Sequence, residues 1–87
     1  MRSEAQYAKL RIALAKQIRS VRARRGISQE ELAFLADLHR TYISLVERSK
    51  RSLTVDSLAR IAAALDIKPS KLLASAEKRS SAKGGGK

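Results

Sequence analysis

The chain has 87 residues, no cysteine and a formal net charge of +11 from 19 basic and 8 acidic residues. That length supports one small domain rather than two, and without cysteine there can be no disulfides or thiolate metal sites. Apolar residues make up 44% of the chain but aromatic residues only 3%, which favours a small aliphatic core of packed helices. No apolar run reaches the roughly 20 residues of a membrane span, so we expect a cytoplasmic protein.

The charges are distributed unevenly along the chain. Residues 1–25 carry eight basic residues and one acid, residues 26–38 carry three acids and no base, and basic residues return over 39–52 and in the C-terminal tail. An acidic segment between basic ones indicates that particular faces meet a polyanion. The simpler alternative is that the basic charge only aids solubility.

The first predicted helix ends near Gly26, a residue typical of helix C-termini. Its apolar residues recur at spacings of four, four and three, which places them on one face of a helix. They are Leu10, Leu14, Ile18 and Val21. Ser28 followed by Glu31 forms a capping box that begins a second helix. The buried side of this second helix is predicted at Leu32, Ala33, Leu35 and Ala36.

A turn is predicted at Asp37, because Asp tolerates the left-handed conformation better than most residues. Leu38 is the expected buried residue of that turn, and His39 stands at the cap position of a third helix. That helix should run from about Arg40 to Glu47. Its inward residues are predicted to be Ile43 and Val46.

Two more helices are predicted in the C-terminal half. Residues 48–52 read as a basic loop, after which Thr54 caps a fourth helix. The apolar face of that helix is predicted at Val55, Leu58, Ile61, Ala62 and Leu65. Pro69 begins a fifth helix carrying Leu72 and Leu73. We therefore predict a domain over residues 1–74, and a basic, disordered tail over 75–87, where Ser, Ala, Lys and Gly dominate.

These residues together resemble the Cro/CI-type (XRE-type) helix-turn-helix domain of bacterial and phage repressors. The resemblance covers about residues 10–74 and rests on the strings ISQEELA, RTYISLVER and LARIAAALDI. It implies a compact, all-α, five-helix fold similar to the lambda repressor domain, with the helix-turn-helix at helices two and three, about residues 28–48. Within the family, RTYIS followed by an acidic–basic pair is most similar to the small controller proteins of restriction–modification systems.

The chain departs from the common family pattern at four positions. Glycine is frequent in the family where this chain has Asp37 and Ser49, and proline is frequent at Leu53. The cap of the third helix is commonly Ser, Thr or Asp, whereas here it is His39. These departures affect the expected loop conformations and docking details but not the expected fold.

Helix three is the expected reading helix, by the resemblance and by geometry. If Ile43 and Val46 point inward, the outer face carries the predicted base-reading residues, which are Arg40, Thr41, Ser44 and Leu45. Arg40 can donate two hydrogen bonds to guanine, and Thr41 can offer a hydroxyl to a base and a methyl to thymine. Leu45 could contact a thymine methyl or could simply pack within the protein.

A second group of residues is predicted to position the domain on phosphates, which fixes register without reading sequence. Its members are Arg22, Gln29, His39, Tyr42, Arg48, Lys50 and Arg51. The resemblance implies that Gln29 contacts a phosphate and supports the reading helix. It also implies an architectural ion pair between Arg22 and Glu47.

Helices four and five are the expected dimer surface, through Ile67, Leu72 and Leu73. The alternative for the leucines is a place in the core, where at least one must pack against the first helix. A dimer is expected because two reading helices on a palindrome read more base pairs than one. No segment of the chain suggests a small-molecule effector domain.

The leading hypothesis is a sequence-specific DNA-binding transcriptional regulator that binds double-stranded DNA as a homodimer. The sequence shows no nucleophile with a partnered base, no metal-ligand set around its single His, and no phosphate-binding glycine loop. We therefore expect no enzyme activity, no cofactor and no metal. Two alternatives remain open at this point, a protein-interaction module such as an antitoxin or bridging factor, and a non-specific nucleoid-type DNA binder.

Overall fold

The computed structural model describes the backbone of residues 4–85 and the side-chain surroundings of residues 4–80. The helices are α1 (Glu4–Arg25), α2 (Gln29–Ala36), α3 (Arg40–Glu47), α4 (Val55–Ala64) and α5 (Pro69–Gly85). There is no strand within the described residues, so the predicted all-α, five-helix fold is confirmed. Within the same residues, no helix is long and apolar enough to cross a membrane.

Local hydrogen bonds explain where the short helices begin. The Ser28 hydroxyl accepts the backbone N–H of Glu31 at 3.0 Å, and the Thr54 hydroxyl accepts that of Ser57 at 3.0 Å. Such caps typically stabilise a helix by about 1 kcal/mol each. His39 occupies the cap position of α3 but makes no side-chain cap hydrogen bond. Of the two helices in the helix-turn-helix, α2 therefore begins with a side-chain cap and α3 begins without one.

Two tight turns flank α3, and each uses a non-glycine residue with a positive φ. Asp37 has φ 58° and ψ 49°, which confirms the predicted turn, and Ser49 has φ 62°. Beside them, the N–H of Leu38 donates to the Ala33 carbonyl at 2.9 Å, and that of Lys50 donates to the Leu45 carbonyl at 2.8 Å. These hydrogen bonds offset the steric cost of the left-handed conformation, roughly 1–2 kcal/mol per residue.

The core is aliphatic, as the composition predicted, and all five helices contribute to it. Its largest apolar side chains with essentially no exposed surface are Ile18, Leu32, Ile43, Ile61, Leu65 and Leu72. Two predicted inward residues are wrong, because Leu35 is 53% exposed and Val55 is 85% exposed. Leu35 lies beside the buried face of α2 formed by Leu32, Ala33 and Ala36, and Val55 is the first residue of α4, two residues before the first buried one, Ser57.

The helix α5 continues well past the predicted domain end at residue 74. Ala76 is completely buried, and the Arg79 guanidinium donates to Gln17 Oε1 of α1 at 3.0 and 3.2 Å. The prediction of a disordered tail from residue 75 is therefore wrong for the described part of that segment. The composition of this segment did not indicate a packed helix, because the residue that is buried there is a small alanine and not a large apolar residue. Residues 1–3 and 86–87, at the ends of the predicted segments, lie outside the described residues.

Leu72 belongs to the core of a single molecule. It has no exposed surface, whereas Leu73 and Ile67 are half-buried. Its predicted place in a dimer surface is therefore corrected, because a residue already enclosed by its own chain offers no area to a partner. Ile67 and Leu73 keep accessible apolar surface.

We expect Ala76→Asp to lower the free energy of unfolding by at least about 2 kcal/mol, because it forces a carboxylate into the contact between α1 and α5. The matched control is Ala74→Asp, the same substitution at an exposed position of the same helix. That control should stay within about 0.5 kcal/mol of the parent protein. Urea unfolding followed by circular dichroism measures both, and equal effects would contradict an ordered α5 beyond residue 74.

Candidate nucleic-acid interface

The last residue of α3, Glu47, is a buried acid with only 1% of its surface exposed. The Arg22 guanidinium donates to both of its carboxylate oxygens, from Nε to Oε2 at 2.7 Å and from Nη2 to Oε1 at 2.9 Å. This two-pronged geometry is the strongest form of a carboxylate–guanidinium contact. The predicted ion pair is therefore confirmed, and it joins the end of α1 to the end of α3.

Gln29 also binds the buried acid, so it supports the reading helix as the resemblance implied, through a partner that the sequence did not identify. Its amide Nε2 donates to Glu47 Oε1 at 3.0 Å. Arg22 Nη1 donates to the Ile27 carbonyl at 3.0 Å, and an Arg19 guanidinium nitrogen donates to the Glu47 carbonyl. The ends of α1 and α3 and the start of α2 are thus held by one hydrogen-bond network, which fixes the Gln29 side chain.

The network also sets the charge state of its arginine. Hydrogen bonding to Glu47 raises the pKa of Arg22 above its ordinary value, against a smaller lowering by burial, and the negative charge of Glu47 raises it further. The network therefore favours the charged form of the guanidinium. Because no buried polar side-chain atom of the described residues lacks a partner, the buried pair is fully compensated by hydrogen bonds.

The outer face of α3 has the exposure pattern that a reading helix needs. Ile43 and Val46 are buried, as predicted, so the helix cannot rotate about its axis. Arg40 and Thr41 are exposed, and Ser44 and Leu45 are half-buried. A shallow hollow joins part of this face to the start of α2, and it is lined by Gln29, Arg40, Thr41 and Ser44. The structure thus brings Arg40, Thr41 and Ser44, which were predicted to read bases, beside Gln29, which was predicted to contact a phosphate.

Tyr42 organises the loop that follows α3. Its hydroxyl donates to the Ser52 carbonyl at 3.3 Å, and the Arg51 guanidinium carbon lies 6.0 Å from the centroid of its ring. A cation over an aromatic face at an exposed site is worth roughly 0.5–1 kcal/mol. The tyrosine therefore holds the loop and its arginine.

The surface around α3 is basic. Arg48, Lys50 and Arg51 are all exposed in the loop, and His39 is exposed at the start of the helix. Residues 39–52 contain a single acid, Glu47, and its charge is buried and paired. Residues 39–52 therefore present cations to a polyanion and no exposed carboxylate of their own.

A sequence model for helix-turn-helix domains matches residues 18–72 of the chain. The chain belongs to the helix-turn-helix family. It is 42% identical to the control protein C.BamHI of Bacillus amyloliquefaciens. The alignment spans 65 residues and covers 74% of this chain and 80% of that protein. The predicted resemblance to restriction–modification controllers is thereby confirmed.

Solved structures of controller proteins share the fold. C.AhdI from Aeromonas hydrophila superposes with a TM-score of 0.70 and 39% identity, over 71% of this chain and 94% of its own. A tetramer of C.Esp1396I in complex with its natural 35 base-pair operator superposes with a TM-score of 0.75 and 34% identity, over 82% and 93% of the two chains. In this helix-turn-helix protein, α1 begins before the region matched by the family model and α5 ends after it.

We expect Glu47→Ala to lower the free energy of unfolding by about 2–4 kcal/mol, because it leaves the partly buried Arg22 charge without its partner. Asp56→Ala provides the control, since it breaks an exposed ion pair with Arg60. Such a pair should contribute less than about 1 kcal/mol. Chemical unfolding of both variants decides between the outcomes, and a loss at Glu47 no larger than that at Asp56 would show that the network is not structurally important.

Proposed function

We propose that the chain is a sequence-specific DNA-binding transcriptional regulator that places α3 in the major groove. The observation that carries this proposal is the fixed orientation of α3, with Ile43 and Val46 buried and Arg40 and Thr41 exposed. A helix held in this way presents one defined set of polar side chains to base edges, which is what direct readout requires. The operator-bound controller that shares the fold supports the same role.

Each residue of the outer face has a distinct proposed task. Arg40 donates two hydrogen bonds to a guanine, worth roughly 1–3 kcal/mol of discrimination. Thr41 and Ser44 offer hydroxyl groups to bases, and Leu45 offers an apolar contact to a thymine methyl. Gln29, held by Glu47 at 3.0 Å, uses its remaining amide N–H on a phosphate at the edge of the groove.

The basic loop and its neighbours are proposed to hold the DNA backbone. Arg48, Lys50 and Arg51 follow α3 directly and are exposed, so they can neutralise phosphates without reading sequence. His39 can donate to a phosphate at the start of α3. Arg22, whose guanidinium is engaged by Glu47 and by a carbonyl oxygen, contributes mainly its positive charge.

The protein is proposed to bind a palindromic site as a dimer in the cytoplasm, with half-sites about 34–36 Å apart. Leu73 is the residue of α5 best suited to a two-fold dimer surface, because it keeps accessible apolar area. Ile67 is less suited to the centre of such a surface. It lines a hollow with the acid Asp66 and four cations, Arg24, Arg25, Lys68 and Lys71, so a two-fold axis passing through it would bring mostly like charges together.

Selection from random duplexes at physiological salt should recover a palindromic motif with half-sites one helical turn apart. Against that motif, we expect Arg40→Ala to lose preference at one base pair per half-site, at a cost of about 1–3 kcal/mol. The control, Arg51→Ala, should weaken binding to all sequences alike and reduce the slope of log affinity against log salt by about 1 per half-site, or about 2 for the dimer.

Fluorescence anisotropy with the motif and its single-base variants measures both substitutions. Uniform weakening by Arg40→Ala would contradict the assignment of α3 as the reading helix. Tight, salt-sensitive binding without any selected motif would instead favour a nucleoid-type binder. Weak binding to every duplex would favour a protein-interaction module.

A further inference from the structure

The single histidine of the chain stands where the helix proposed to read DNA begins. His39 occupies the cap position of α3, its side chain is exposed, and it makes no cap hydrogen bond. Its imidazole forms no hydrogen bond or ion pair with any other described residue. At the same position of α2 and α4, the hydroxyl groups of Ser28 and Thr54 accept a backbone N–H. His39 therefore gives α3 no cap and keeps both ring nitrogens for an outside partner.

The immediate surroundings of His39 disfavour a positive charge on its ring in the free protein. The first turn of α3 holds no acid and begins with Arg40, a cation next to His39 in the chain. The start of a helix also carries partial positive charge on its free backbone N–H groups. A DNA phosphate beside the imidazole reverses this balance, because a nearby opposite charge favours the charged form of a group.

We infer that each subunit takes up a proton at His39 when it binds DNA, so that operator affinity rises as the pH falls. The inference rests on the proposed function, because the phosphate is the one that His39 meets when α3 lies in the major groove. Histidine is the side chain whose ordinary change of charge falls between about pH 5 and 8. The phosphodiesters of DNA stay negative throughout that range, so the contact gains charge only from the protein.

The acid nearest to His39 along the chain already has a partner. Asp37 lies two residues earlier, in the turn from α2, and its carboxylate is 3.4 Å from Arg60 of α4. It forms no ion pair with the imidazole. A phosphate that contacts His39 is therefore the first anion to contact the ring directly, and it does not have to displace an existing partner.

The other charged groups on the helices packed against α3 lie towards its far end. From α1, Arg19 and Arg22 both bind Glu47, which is about 12 Å from the cap position along the helix axis. The acids of α2 stand in the turn that begins with Gln29, itself hydrogen-bonded to Glu47. These acids are Glu30 and Glu31. The charge of the imidazole therefore depends mainly on Arg40, on Asp37 with its partner Arg60, and on bound DNA.

Fluorescence anisotropy with the selected duplex, at constant ionic strength from about pH 5.5 to 8.5, measures this linkage. Affinity should fall by about tenfold per subunit, or about 100-fold for a dimer, as the pH rises through the titration of the imidazole. It should level off on either side, where the free and bound proteins carry the same proton. Constant ionic strength is needed because salt alone changes the affinity.

Three variants separate the proton from the shape of the side chain. His39→Gln keeps a hydrogen-bond donor without a charge, so its affinity should be low and nearly independent of pH. His39→Lys carries a fixed charge, so its affinity should be high and nearly independent of pH. Arg51→Ala is the matched control, because it removes a proposed phosphate contact of fixed charge. It should weaken binding and keep the pH dependence of the parent protein.

Nuclear magnetic resonance on the parent protein gives a second measurement that needs no variant. A single histidine yields one imidazole Cε1–H resonance, whose titration can be followed in the free protein and in the complex. Its midpoint should rise by about one pH unit or more on DNA binding, the same change that the tenfold difference in affinity requires.

The inference is overturned by a pH dependence that His39→Gln retains in full, by a titration midpoint that does not rise in the complex, or by His39→Lys binding more weakly than His39→Gln. Preference for the selected motif over its single-base variants, measured at one pH, reports separately on the proposed function. Sequence-specific binding without proton uptake would therefore reject this inference alone. Loss of sequence preference with proton uptake intact would reject only the base-reading assignment.

Discussion

The buried carboxylate of Glu47 is the constraint on which the DNA-reading geometry depends. It accepts two hydrogen bonds from Arg22 and one from Gln29, so the end of α3 is tied to the end of α1 and the start of α2. A buried charge is costly unless every lone pair is engaged, which means that the three helix ends cannot drift apart independently. The exposed side chains of α3 consequently have a defined position relative to Gln29.

Short-range patterns in the sequence predicted most of this fold. Ser28 and Thr54 marked two helix starts correctly, Asp37 marked the turn, and the spacing of Ile43 and Val46 identified the inner side of α3. These signals succeed because each depends on residues within one or two helical turns. The Arg22–Glu47 pair spans 25 residues, and it was predicted only through the family resemblance.

The errors came from contacts that local pattern does not encode. Ala76 gives no sequence signal of burial, yet it is completely buried, and Leu72 likewise has no exposed surface. Leu35 and Val55 are apolar residues in apolar segments, but the helix rotation set by their buried neighbours leaves them exposed. The resemblance implied that Gln29 supports the reading helix, but the sequence did not identify Glu47 as its partner, because a glutamine beside a cap has no preferred long-range partner. The site residues on α3 can be predicted from the spacing of its apolar residues, whereas the contacts that support them can be seen only in the three-dimensional fold.

The crystal structure of the protein bound to its selected duplex tests the central claim most directly. The account predicts α3 in the major groove, with Arg40 on a guanine edge, and Gln29 donating to a phosphate while still hydrogen-bonded to Glu47. A complex in which another surface meets the DNA would contradict the account. So would one in which α3 enters the groove with the Gln29–Glu47 contact broken.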